Sequence, residues 1–138
     1  PTTEDEDPNL WQGDAVEILL ETQNHAYYQI AVNPAGALID VDREMKIDTL
    51  WDSNAEVATH IGKNYWSLEI RIPIADEAQE ENLPDQLVSG RRPTPTEPWY
   101  FNIGRTRKRD WGNWAAMFSP SGKRSFHVRD RFGKLYIE

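Results

Sequence analysis

The chain contains no cysteine, which excludes a disulfide framework and any cysteine-ligated zinc or iron–sulfur centre. It holds only two Met and three His, and His25, His60 and His127 stand far apart in no metal or triad spacing. No apolar run approaches the roughly 20 residues that a membrane-spanning helix needs. Positive charge is the minority: 15 Lys and Arg against 23 Asp and Glu leave a net charge of −8. Such a surface repels phosphate backbones, so no nucleic-acid partner is expected. There is no Gly-x-Ser-x-Gly, no His-Glu-x-x-His and no phosphate-cradling Gly loop. With 23 acidic residues some carboxylates pair by chance, so pairing alone does not signal a glycosidase. The expectation is binding, not catalysis.

What is present is aromatic: six Trp, five Tyr and four Phe within an apolar fraction of 38%. That suffices for a core, and 138 residues fit one domain. Residues 1–10 open the chain as an acidic tail or loop. Short β-rich runs follow. Ala15–Leu20 contains the continuous Ile18-Leu19-Leu20, the mark of a strand covered on both faces. Tyr28, Ile30 and Val32 alternate with Tyr27, Gln29 and Ala31 up to the turn Asn33-Pro-Ala-Gly36, and Ala37–Val41 returns. Glu56–Ile61 is a weaker strand. In Tyr65–Ile72, Trp66, Leu68, Ile70 and Ile72 share one face, and Pro73 ends the run. Trp99, Phe101 and Ile103 repeat the alternation, and Lys134–Ile137 is the last run. Ile74–Leu83 reads as a turn or two of helix; Ser89–Pro98, with three Pro and a Gly, reads as a loop. This punctuation predicts an all-β fold, an antiparallel β-sandwich of jelly-roll type.

Trp66 and Trp99 head apolar faces and read as core. Trp11, Trp111 and Trp114 instead have Gln12, Gly13, Asp110, Gly112 and Asn113 as neighbours, and indoles in such segments tend to be half exposed. Exposed indoles suit sugars, whose C–H groups stack on the ring while the hydroxyls seek polar partners. Glu17, Glu69, Asn102 and Arg105 lie in or beside strands and could supply those partners, or form a Glu–Arg pair satisfied within the sheet. The basic run Arg105-Thr-Arg-Lys-Arg109, followed by Asp110, reads as a solvated strand end. Asp14, Asp40, Asp42 and Asp48 offer oxygen ligands for a structural Ca²⁺, but Asp40-Val-Asp42 lacks the Gly and Glu of a calcium loop. No other cofactor is expected.

Several segments together resemble the family 9 carbohydrate-binding modules and their DOMON-like relatives. They are Trp11-Gln-Gly-Asp14-Ala-Val-Glu17-Ile, Tyr28-Gln-Ile-Ala-Val-Asn33-Pro-Ala-Gly36 and Trp66-Ser-Leu-Glu69-Ile-Arg-Ile-Pro73. Trp99-Tyr-Phe-Asn102-Ile-Gly-Arg105 and Phe126-His…Arg131-Phe-Gly133-Lys-Leu complete the order. The resemblance implies a β-sandwich appended to secreted polysaccharide-degrading enzymes, with sugar held between two Trp rings. By position these would be Trp11 and Trp114, or Trp111 in place of the second, with Glu17 a hydroxyl partner. The implied partners are a poly- or oligosaccharide and other domains of a longer chain, and the implied location is extracellular or periplasmic. The strand position at which sugar-binding members often carry a basic residue falls here in Gln29-Ile-Ala31, which holds no Arg. The family also has strands ahead of the Trp11 segment. The domain is therefore expected to lack its N-terminal strands in this chain, which starts at Pro1.

Two other readings stay open. Related sandwiches bind haem in electron-transfer proteins, with Met45, Met117, His60 and His127 as possible ligands here. An interaction domain that kept the fold and lost its ligand is the third.

Overall fold

In the computed structural model the described residues are Leu10, 13–44, 51–75, 87–108, 114–118 and 126–138, with backbone alone for 108 and 114–118. The chain is all-β, and among these residues there is no α-helix. Among the described residues ten strands are present: β1 (Ala15–Glu21), β2 (Tyr28–Val32), β3 (Leu38–Asp42), β4 (Glu56–Ile61), β5 (Trp66–Arg71), β6 (Ile74–Ala75), β7 (Val88–Ser89), β8 (Trp99–Lys108), β9 (Trp114–Phe118) and β10 (Gly133–Leu135).

The main sheet is antiparallel, in the order β10-β8-β1-β2-β3. The long β8 pairs with β10 through Trp99–Phe101 and with β9 through Arg105–Lys108. β1 is hydrogen-bonded on both sides, to β2 and β8, so it has no open edge. Its faces are both covered, as the continuous Ile18-Leu19-Leu20 predicts: Leu20 enters one core cluster and Leu19 another. The β2–β3 turn is built by Asn33, whose Oδ1 accepts from the Ala35 and Ala37 amides at 3.0 Å each. Gly36 takes a positive φ of 85° there, a conformation glycine adopts without steric cost.

Alternation divides the sheet into two faces. On the first, Leu20, Tyr28, Ile30, Val32 and Trp99 form the largest cluster with Trp51 and Val88, and Val57, Leu68, Ile70 and Ile72 pack against it. The β4–β5 hairpin thus turns the predicted apolar face of Tyr65–Ile72 inward, leaving Tyr65, Ser67, Glu69 and Arg71 exposed. Trp51 stacks on Tyr28 at 4.6 Å, and Tyr28 on His25 at 4.4 Å.

Three local expectations change. Ile74–Ala75 is extended, paired in parallel with Val88–Ser89, not the start of a helix; residues 76–86 lie outside the described part. Parallel pairing with β7 supplies the hydrogen bonds that a helical turn would otherwise have made. The last strand is Gly133–Leu135, displaced from Lys134–Ile137, because its register is set by Phe101, Tyr100 and Trp99 of β8. Arg105 is not at a solvated strand end, since β8 continues to Lys108 with Arg105 half-buried between β1 and β9.

Candidate functional site

The second face of the sheet carries a row of buried polar residues. Glu17 and Leu19 of β1, Gln29 of β2 and Asn102 and Gly104 of β8 share it by register: Leu19 pairs with Gln29 and Asn102, and Glu17 pairs with Gly104. Glu17 is 7% exposed, Gln29 1% and Asn102 0%, an unusual depth for such groups unless they are hydrogen-bonded. Gln29 Nε2 donates to Glu17 Oε2 at 2.8 Å. Arg43 Nε donates to Gln29 Oε1 at 2.6 Å. One amide therefore joins a carboxylate to a guanidinium, with its acceptor and donor ends each complemented.

This row runs between two apolar clusters. On one side Leu10 packs with Ala15, Ala31, Ile39 and Val41; on the other, Leu19 packs with Phe126 and Phe132. The segment from Phe126 to Phe132 is held over the face by Asn102, whose Nδ2 donates to the Phe126 carbonyl at 2.8 Å. Gly104 makes room for it, because a Cβ there would run into the Phe126 ring. Beside the row, the Tyr27 hydroxyl lies 3.1 Å from His127 Nδ1, and the Arg129 guanidinium sits over the Tyr27 ring, 5.9 Å from its centre.

The electrostatics follow from burial. Desolvation lifts the Glu17 carboxyl above its ordinary range, opposed by the Gln29 hydrogen bond and the Arg43 charge. Burial pushes His127 down, and the Arg43 charge adds to that. A carboxyl, an amide, a guanidinium and an imidazole thus lie on one sheet face.

Of the residues expected from sequence to form a site, the structure brings Glu17 and Asn102 onto this face. Arg105 falls on the opposite one, its Cζ 5.6 Å from the Trp66 ring centre. The reason is parity: Arg105 pairs with Val16, and Glu17 with Gly104, so the two point to opposite sides. No Glu17–Arg105 pair forms. Glu69 is exposed on the outer side of β5. Trp114 opens β9 opposite Lys108, but its side chain, like Trp11 and Trp111, lies outside the described residues. Asp40 accepts from the Ser53 amide at 2.7 Å, and Asp42 contacts His25 Nε2 at 2.7 Å. Asp48 is outside the described part, and among the described residues no three His, Asp or Glu gather as a metal would need. His60 is exposed on β4, beside Tyr65. Met45 lies outside the described residues, and Met117 is described in backbone only.

Gln29, Arg43 and Tyr27 line this face without having been expected there, and His127, expected only as a possible haem ligand, lies beside them. Arg43 had a signal: Ile39 and Val41 pair with Ala31 and Gln29, and one further alternation carries Arg43 to the Gln29 face. No protein-family model, no curated protein and no solved structure matches this chain. No helix among the described residues is long and apolar enough to cross a membrane.

Proposed function

We propose that this chain is a non-catalytic carbohydrate-binding module, a β-sandwich of the family 9-like group, acting outside the cytoplasm beside other domains of a longer protein. The observation that carries the reading is the Glu17–Gln29–Arg43 row, buried on a sheet face beside Asn102. A sheet whose other face packs mainly apolar side chains, Asp40 and Asp42 apart, does not need a carboxylate, an amide and a guanidinium in line to fold. Ligand hydroxyls do need such a row, since each is both donor and acceptor. Arg43 supplies, from the end of β3, the cation that Gln29-Ile-Ala31 does not contain. The basic contact thus passes from Arg105 to Arg43. Leu10, the residue before Trp11, is packed on this same face, which favours Trp11 as one stacking ring; Trp114, or Trp111, is the other.

The test is isothermal titration calorimetry against a panel of neutral and acidic oligo- and polysaccharides. The parent is compared with Trp11→Ala, Trp114→Ala and Arg43→Met. Saturable binding to at least one sugar is expected, weakened about tenfold or more by each change, as loss of a stacking ring or charge-assisted contact implies. Absence of binding to every sugar, or binding that survives both tryptophan changes, overturns the reading.

A further inference from the structure

At the opposite face of the sheet, Arg105 and Trp66 bring together two donor groups that the sugar reading does not use. Arg105 interrupts the row Trp99, Phe101, Ile103 on β8, and its guanidinium lies over Trp66 at the start of β5. Trp66 Nε1 and Arg105 Nε are both buried, and neither has a hydrogen-bond acceptor among the described residues. The stacking does not satisfy them. A cation over an indole uses the ring face and the guanidinium plane, whereas both N–H groups point outward in the planes of their own rings. Nor does any carboxylate among the described residues make an ion pair with Arg105, although the chain has 23 Asp and Glu. Arg107, two residues further along the same strand and exposed, adds a second positive charge on that side.

We propose that the Arg105–Trp66 junction, between β8 and the β4–β5 hairpin, is a binding site for a carboxylate monoanion. Indole Nε1 and guanidinium only donate, so the complementary ligand only accepts. An ionised carboxylate does that with two oxygens, while a hydroxyl or water brings protons with no acceptor to meet. The net charge of −8 favours one negative charge over two, since each added charge works against the field of the whole chain. The site stands on the face opposite Glu17 and does not depend on the sugar reading.

Proton–nitrogen correlation spectra of the full chain test this, with the Trp66 indole and Arg105 Nε signals assigned by their loss in Trp66→Phe and Arg105→Lys. Sodium acetate, sodium D-glucuronate, sodium chloride, sodium sulfate and D-glucose are titrated at constant ionic strength. Both signals are expected to shift saturably with acetate or glucuronate. Saturation with glucuronate but not acetate assigns the carboxylate to an acidic sugar; saturation with both assigns the site to the carboxylate alone. Trp66→Phe, which keeps an aromatic face under the guanidinium, should weaken binding about tenfold, read at Arg105 Nε, as loss of a charge-assisted bond implies. Arg105→Lys should weaken it similarly, read at Trp66. The proposal is overturned if neither carboxylate saturates, if chloride or glucose moves the same signals equally, or if sulfate binds tighter. Parent-like binding by Trp66→Phe overturns it too, even where Arg105→Lys does not fold.

Discussion

Glu17 accepts a 2.8 Å hydrogen bond from the Gln29 side chain on the neighbouring strand, and both are buried in the middle of the sheet. Burial holds the Glu17 carboxyl above its ordinary range in the fold. A folded-state value above the unfolded one means that the carboxyl's contribution is fully present at acid pH. It is lost as pH rises through the folded value. Glu17→Gln removes that titration while leaving an acceptor for Gln29. Urea denaturation from pH 4 to 8 should therefore show the variant gaining on the parent as pH rises; a difference that is flat or reversed contradicts the assignment.

Asn102 offers the opposite sign test. Its Nδ2 donates to the Phe126 carbonyl with no exposure to solvent. In Asn102→Asp only a protonated carboxyl can still donate there, and ionisation sets an oxygen anion against a carbonyl. A loss of about 1–3 kcal/mol is expected at neutral pH, in line with a buried unsatisfied group. The loss should shrink towards pH 4. Equal destabilisation at both pH values would mean the hydrogen bond is not what Asn102 supplies.

Gly104 is defined by what lies over it. A Cβ there meets the Phe126 ring, so Gly104→Ala should displace the segment from Phe126 to Phe132 and cost about 1–3 kcal/mol, as overpacking does. Hydrogen exchange of the Phe132 amide, which donates to Arg129 O at 3.0 Å, should quicken in step. Parent-like stability and exchange would show that the ring does not rest there.

The two isoleucines Ile30 and Ile61 separate core from surface. Ile30 lies in the largest cluster and is 1% exposed, while Ile61 ends β4 and is 65% exposed. Ile30→Ala should cost about 2–5 kcal/mol, transfer and cavity terms together. Ile61→Ala should stay within about 0.5 kcal/mol. Comparable losses at the two sites, by thermal or urea unfolding, would place the hairpin differently.

Strand periodicity by itself determined much of this protein. Trp66, Leu68 and Ile70 read as one inward face and are one, since alternation is a property of the extended backbone alone. The triple Ile18-Leu19-Leu20 announced a strand covered on both sides. Glu17 and Asn102 were visible as polar residues at strand positions an apolar sheet does not need. What only the tertiary structure decided was pairing. Which strands lie side by side, and in which register, sets the face on which each side chain emerges, and a shift of one residue reverses it. That is why Arg105, next to Asn102 in motif, points away from it to Trp66, and why Arg43, distant in sequence, reaches Gln29. His127 joins them only because the chain returns over Gly104, where the missing side chain admits Phe126. Glu17 and Asn102 were legible singly; Gln29, Arg43 and Tyr27 entered the site only through register.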